Sequence, residues 1–98
     1  MRTAIKYVGG RKSMTVKMDC DEQGVCFQIE GDIYEEHAEC LCSMVNSQVQ
    51  RGIKELEIQL FATYYISSRG QQCLQGLKDM LGNQGIFLSF KGQSVSVN

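Results

Sequence analysis

Apolar and polar residues alternate along two stretches near the start of the chain. Every second residue is apolar over residues 14–20, and the same two-residue period resumes over residues 25–30. Such alternation is typical of strands that bury one face. Residues 21–24 read Asp-Glu-Gln-Gly, a composition that favours a turn. We therefore predict an antiparallel hairpin over residues 14–30.

Two later stretches have the three-to-four spacing of amphipathic helices. After Gly31, the spacing of Asp32 and Glu35 matches a capping box, so we expect the first helix to begin at Asp32. Arg51 and Gly52, a cation and a glycine, are typical of its end. The periodic apolar residues of this helix are Tyr34, Ala38, Leu41, Val45 and Val49. Those of the second helix, which residues 82–85 should stop, are Cys73, Leu74, Leu77, Met80 and Leu81.

Each helix is followed by a further alternating segment, at residues 56–60 and 86–90. Val95 and Val97 indicate a short fifth strand at residues 95–97. Residues 1–13 have no sustained period and predict either a short strand centred on residues 5–8 or a loose arm. The first helix is long enough to be a right-handed crossover, which makes its flanking strands parallel. We therefore predict one α/β domain over residues 1–98, with a mixed sheet of four to five strands and two helices mainly on one face.

Composition narrows the range of functions. A chain of 98 residues with 10 Lys plus Arg and 11 Asp plus Glu has room for one small core, and its charge attracts neither nucleic acid nor anionic lipid. No apolar stretch is long enough for a leader or a membrane span, so we expect a cytoplasmic protein without membrane insertion. The odd number of cysteines, five, without metal-finger spacing, indicates reduced thiols rather than a disulfide framework.

The only histidine and its neighbouring thiol are the candidate for metal or thiol chemistry. His37 and Cys40 lie three residues apart and, with Cys20 or Cys26, could meet a metal or serve a thiol enzyme. We favour the simpler interpretation of a surface histidine beside a partly buried thiol. Cys40 and Cys42 are two residues apart on a helix and point apart, so they do not form a disulfide. We assign no catalytic residue, no metal ligand and no cofactor.

Two serines stand where the second helix should begin. A phosphate on Ser68 would meet the positive end of the helix dipole and the adjacent Arg69. The alternative is that Ser67 or Ser68 merely caps the helix, with Ser68 and Gln71 at capping-box spacing. Three aromatic residues precede the serines: Phe61, Tyr64 and Tyr65. We expect them to fill the edge of the core, with at least one of them buried, rather than to form an exposed contact patch.

These segments resemble the STAS domain of bacterial anti-sigma factor antagonists over residues 54–92. In that family a strand ending in Asp-Leu-Ser leads to Asp-Ser-x-Gly at a helix start, followed by helix leucines and a glycine. The matching residues are Gln59-Leu60-Phe61, Ser67-Ser68-Arg69-Gly70, Leu74, Leu77, Leu81 and Gly85. Upstream, Ile29-Glu30-Gly31-Asp32-Ile33 matches the family's strand before the first helix. Gln59 and Ser67 replace two aspartates of the motif.

The resemblance implies a regulatory protein-binding module of signal transduction and transcription. Its phosphorylation candidate is Ser68, with Ser67 second, and its partner is an anti-sigma factor or a serine kinase. The residues that it implies for partner binding are Tyr65, Ser67, Ser68, Arg69 and Gly70. The alternatives are an unphosphorylated scaffold or accessory subunit of a signalling or transport assembly and, last, a thiol or metal enzyme.

The family also has a C-terminal helix. Because the chain ends at Asn98, soon after the last predicted strand, we expect that helix to be absent. Its absence would expose apolar surface around Phe90, Val95 and Val97. A second copy of the chain could cover that surface as a homodimer.

Overall fold

The computed structural model of the chain describes residues 2–9, 12–20 and 24–92. These described residues form five strands and two helices in the order β-β-β-α-β-α-β. Their bounds are β1 (Arg2–Gly9), β2 (Lys12–Cys20), β3 (Val25–Glu30), α1 (Glu35–Gln50), β4 (Glu55–Ala62), α2 (Ser68–Asn83) and β5 (Phe87–Lys91).

The strands form one mixed sheet in the order β1-β2-β3-β4-β5. β2 is antiparallel to both β1 and β3, whereas β4 is parallel to both β3 and β5. The predicted hairpin and the parallel crossover through α1 are therefore confirmed. Of the two alternatives for the start of the chain, Arg2–Gly9 is a strand, paired with β2 over its full length. The fifth strand predicted at residues 95–97 lies outside the described residues.

One face of the sheet is covered by both helices. The alternating residues of the strands point to this face, as predicted, and join the apolar faces of α1 and α2 in a single core. Each fully buried Leu, Ile or Phe side chain contributes about 1.5–3 kcal/mol to folding. The central members of this core are Phe27, Ile29, Leu41, Val45, Ile58, Leu60, Leu77, Leu81 and Leu88. The opposite face presents mostly polar side chains from β3 and β4: Gln28, Glu30, Glu57 and Gln59.

The first helix begins three residues later than predicted. Ile33 is still extended and forms an isolated parallel bridge with Ile66. In this bridge the Ile33 N–H donates to the Tyr65 carbonyl, and the Ser67 N–H donates to the Ile33 carbonyl, both at 2.9 Å. A residue held in such a bridge cannot belong to a helical turn, so α1 starts only at Glu35. The N-cap of α1 is Tyr34 rather than the expected Asp32, and the Nδ1 of His37 accepts the Tyr34 N–H at 3.0 Å.

Both helices end as their glycines predict. Gly52 and Gly85 follow α1 and α2 with φ values of +96° and +78°, a left-handed conformation that glycine adopts without steric cost. Met80 departs from the predicted apolar stripe of α2, because its side chain is exposed rather than buried. Among the residues that the structure describes, neither helix is long and apolar enough to cross a membrane.

Candidate functional site

The bridge between Ile33 and Ile66 brings the starts of α1 and α2 side by side. Each bridged residue lies just before its helix, so the first turns of the two helices emerge next to each other. An open depression between them is lined by Tyr34, Glu35, Glu36, Ser67, Ser68 and Arg69. Ser67, Ser68 and Arg69, at the start of α2, were predicted from the sequence. Tyr34 and Glu35 were not, because no local pattern indicates which residues of a distant helix will face the serines.

Ser67 is the N-cap of α2. Its Oγ accepts the N–H of Gly70 at 3.0 Å, which satisfies one of the backbone donors left unpaired at a helix start. Gln71 does not form the alternative capping box with Ser68. Its side-chain Nε2 instead donates to the Ile66 carbonyl at 3.1 Å. Of the two serines, Ser67 is therefore the one that caps α2.

Gly70 is buried beneath this cap. A Cβ atom at this position would lie 3.0 Å from Ser67 Oγ and 3.2 Å from Ile66 Cγ2. Both distances are shorter than ordinary van der Waals contact, so a larger residue would displace the capping hydroxyl or the bridged isoleucine. The glycine of the helix-start motif therefore has a packing reason: it lets α2 begin close against the bridge.

Ser68 is the first residue of α2, and its side chain is exposed. Because Ser67 provides the cap, a change at Ser68 leaves the capping hydrogen bond in place. The next residue, Arg69, reaches across to α1, where its Nη1 lies 3.0 Å from Glu35 Oε2. An acidic group placed on Ser68 would meet the positive end of the α2 dipole and a nearby guanidinium.

The aromatic residues before the serines are exposed, which corrects the expectation that they fill the edge of the core. Phe61, Tyr64 and Tyr65 expose 62%, 78% and 47% of their surface. Tyr65 packs against Tyr34, with ring centroids 5.4 Å apart and planes tilted by 51°. This tilted contact extends the depression with an aromatic wall.

Gln59, at the first replaced aspartate, faces the polar side of the sheet. Its Nε2 donates to Glu57 Oε2 at 2.7 Å. An aspartate at this position would set a second carboxylate beside Glu57, whereas the amide forms a hydrogen bond to it. The glutamine is therefore matched to its neighbour on β4.

The interpretation of His37 as a surface residue is wrong, because its ring is fully buried. Its Nδ1 accepts the Tyr34 N–H, which assigns it a part in the start of α1. Cys40 is half-buried, as predicted, and burial raises the pKa of its thiol. A raised pKa lowers the fraction of thiolate, the reactive form, and so disfavours Cys40 as a nucleophile. In the described part of the chain, His, Cys, Asp and Glu side chains form no group of three that could hold a metal ion.

Two cysteines that the sequence placed far apart meet between the helices. Cys42 of α1 and Cys73 of α2 have their Sγ atoms 3.3 Å apart. Burial, the contact with Cys73 and the charge of Glu39 raise the pKa of Cys42 to about 12. No spacing rule relates two cysteines 31 residues apart, so only the packing of α1 on α2 reveals the pair.

Comparison with known families agrees with this geometry. The STAS domain family matches residues 14–98, which include both helices, β3 to β5 and all of β2 except its first two residues. The chain belongs to the STAS domain family. The family suggested by residues 54–92 is thereby confirmed. No sequence among curated proteins matches the chain significantly.

Solved structures share this STAS fold at low sequence identity. An anti-sigma factor antagonist from Mycobacterium paratuberculosis superposes with a TM-score of 0.68 at 20% identity, covering 90% of this chain and 76% of that one. The Bacillus antagonist SpoIIAA, unphosphorylated, gives 0.68 at 11% identity, covering 81% and 74% of the two chains. Mglu gives 0.70 at 15% identity and covers 80% of this chain, but the match spans only 19% of the Mglu chain.

Proposed function

We propose that this STAS domain is a regulatory module that docks a protein partner on the surface at the two helix starts, switched by phosphorylation of Ser68. The docking surface comprises Tyr34, Glu35, Tyr65, Ser67, Ser68 and Arg69. One observation carries the proposal: Ser68 is exposed at the first position of α2, directly after a serine that caps the helix independently of it. SpoIIAA, which shares the fold, is known in phosphorylated and unphosphorylated forms, and this supports the analogy.

Phosphorylation would change the charge of the surface without unfolding the helix. A phosphate adds about −1.5 to −2 charges and three strong acceptor oxygens. These oxygens would compete with the Glu35 carboxylate for Arg69, whose present ion pair is exposed and therefore weak. The displaced Glu35 and the phosphate would then repel each other. After phosphorylation, a partner that fits the unmodified surface would meet a more acidic surface.

The aromatic wall supplies contact area next to the switch. Tyrosine side chains are enriched at the centres of protein interfaces because each buries a large apolar area and keeps a polar hydroxyl. Tyr65 is half-exposed and is held by Tyr34, so it is already oriented for contact. A phosphate on Ser68 would lie within the same interface, where its desolvation would oppose binding.

Mapping of phosphorylation after incubation with extract of the source cells and ATP tests the switch. Trypsin releases residues 55–69 as one peptide, and its fragment ions distinguish phosphate on Ser67 from phosphate on Ser68. We expect modification of Ser68 and its loss in Ser68→Ala. A chain never modified between residues 61 and 69 would overturn the switch.

Partner capture with matched variants tests docking separately. Ser68→Asp should reduce recovery of partners relative to Ser68→Ala, whereas Ser47→Asp, the same change at an exposed position late in α1, should not. Tyr65→Ala should lower recovery with either residue at position 68. Equal recovery by Ser68→Asp and Ser68→Ala would instead support the constitutive scaffold. Full recovery by Tyr65→Ala and by Arg69→Ala would contradict docking at this surface.

A further inference from the structure

The contact between Cys42 and Cys73 lies outside the docking surface and has no role in the proposed function. The two Sγ atoms are 3.3 Å apart, and Cys42 Sγ also approaches the Cys73 carbonyl at 3.9 Å. Both side chains are half-buried, so a small molecule can reach the edge of the pair. None of the five cysteines is in a disulfide.

We propose that Cys42 and Cys73 are a redox pair that closes a disulfide between α1 and α2 by exchange with a low-molecular-weight disulfide. A disulfide requires sulfur atoms about 2.05 Å apart, so the two must approach by a little over 1 Å. The Sγ atom of a cysteine moves when the side chain rotates about its Cα–Cβ bond. Modest rotations of the two side chains can therefore bring the sulfur atoms together.

The exchange proceeds in two balanced steps. One protein thiolate attacks a sulfur of the small disulfide, forming a mixed disulfide and releasing one small thiolate. The second protein thiol then attacks the mixed disulfide at the protein sulfur, passes its proton to the departing thiolate and completes the protein disulfide. The small disulfide is reduced to two thiols, and the two cysteines are oxidised by two electrons.

The surroundings of the pair assign the order of attack. Burial, the contact with Cys73 and the charge of Glu39 raise the pKa of Cys42, which lowers its thiolate fraction below that of an ordinary thiol. Cys73 is therefore the residue that attacks the small disulfide. Cys42 reacts second, within the protein, where contact with the mixed disulfide compensates for its low thiolate fraction.

Closing this disulfide would link the helices just below the docking surface. Cys73 follows Arg69 by four residues, about 6 Å along α2, and Cys42 follows Glu35 by seven, about 10 Å along α1. The link would hold the two helix starts at one separation. Oxidation thus acts on the same pair of helices that presents Ser68, through a different chemistry.

Peptide mapping after equilibration of the intact chain in buffers of reduced and oxidised glutathione tests the pair. Trypsin leaves Cys73 in residues 70–78 and Cys42 in residues 18–51, together with Cys20, Cys26 and Cys40. We expect these two peptides to become linked, with loss of two thiols and about 2 Da from the monomer mass. Fragment ions should place the link at Cys42.

Matched serine variants separate this pair from the other thiols. Cys42→Ser and Cys73→Ser should abolish the linked peptides, whereas Cys40→Ser, two residues away on α1, should leave them unchanged. Cys42→Ala serves if the serine variant does not fold. The oxidised wild type should also melt at a higher temperature than its reduced form, and Cys73→Ser should show no such shift. Glutathione attached to Cys73 without closure, or links only between different molecules, would overturn the proposal.

Discussion

Arg69 and Glu35 connect the first turns of the two helices through an ion pair. Arg69 Nη1 lies 3.0 Å from Glu35 Oε2, and both side chains are largely exposed to solvent. The residues are 34 positions apart in the chain and meet because the bridge between Ile33 and Ile66 aligns the two helix starts. An exposed pair of this kind positions charge at the surface more than it stabilises the fold.

We expect a small coupling energy between these two residues. In a double-mutant cycle of Glu35→Gln and Arg69→Gln, urea unfolding at low salt should give a coupling of about 0.2–1 kcal/mol, because solvent and ions screen both charges. The coupling should fall further at about 1 M salt. A coupling above about 2 kcal/mol would mean that Arg69 is not available to a phosphate on Ser68.

The neighbouring serines should differ in their effect on stability. Ser67→Ala removes the acceptor for the Gly70 N–H and should lower the free energy of unfolding by about 0.5–2 kcal/mol. Ser68→Ala, at an exposed position, should change it by no more than about 0.5 kcal/mol. Ser67→Asp should retain wild-type stability, because a carboxylate also caps a helix start. Chemical denaturation of the three variants measures these differences, and equal losses in both alanine variants would contradict the assignment of the cap.

Two glycines of α2 should respond oppositely to alanine. Gly76 is exposed with open space around it, so Gly76→Ala should stabilise the protein by about 1 kcal/mol through helix propensity. Gly70→Ala would crowd Ser67 Oγ and Ile66 Cγ2, at a cost of about 1–3 kcal/mol. Thermal or urea unfolding should therefore place Gly70→Ala at least about 2 kcal/mol below Gly76→Ala. Equal stabilisation by the two substitutions would show that the residues around Gly70 move to accommodate a methyl group.

Stability should fall at alkaline pH through Cys42. Its pKa is raised from 9.0 to about 12 in the folded chain. Between these values the unfolded chain has lost the Cys42 proton while the folded chain retains it, so rising pH favours unfolding. With reductant present, the wild type should lose more stability between pH 8 and 10.5 than Cys42→Ala. Equal losses would mean that the folded thiol ionises normally.

Much of the fold follows from short-range pattern. Alternation predicts the hairpin over residues 14–30 and the strand around Ile58, and the three-to-four spacing predicts both helices. The length of the first helix predicts the parallel crossover. These inferences succeed because burial on one side of a strand or helix imposes a period that can be read locally.

The errors arise where a distant segment changes the local outcome. Asp32 has the spacing of a capping residue, but pairing of Ile33 with Ile66 delays the helix to Glu35. His37 is polar and was expected at the surface, yet it is buried and accepts a backbone hydrogen bond. In each case a contact formed elsewhere in the chain outweighs the local preference.

The α/β class, the order of helices and strands from β2 onward, and the serine segment at the start of α2 could all be predicted from local pattern, because they depend on neighbouring residues. Which groups face that segment depends instead on how the chain packs. The pairing of Glu35 with Arg69, the contact of Tyr34 with Tyr65 and the meeting of Cys42 with Cys73 all join α1 or its first residues to a segment some 30 residues away. Such contacts depend on how the two helices pack on one face of the sheet, and no local period in the sequence encodes that packing.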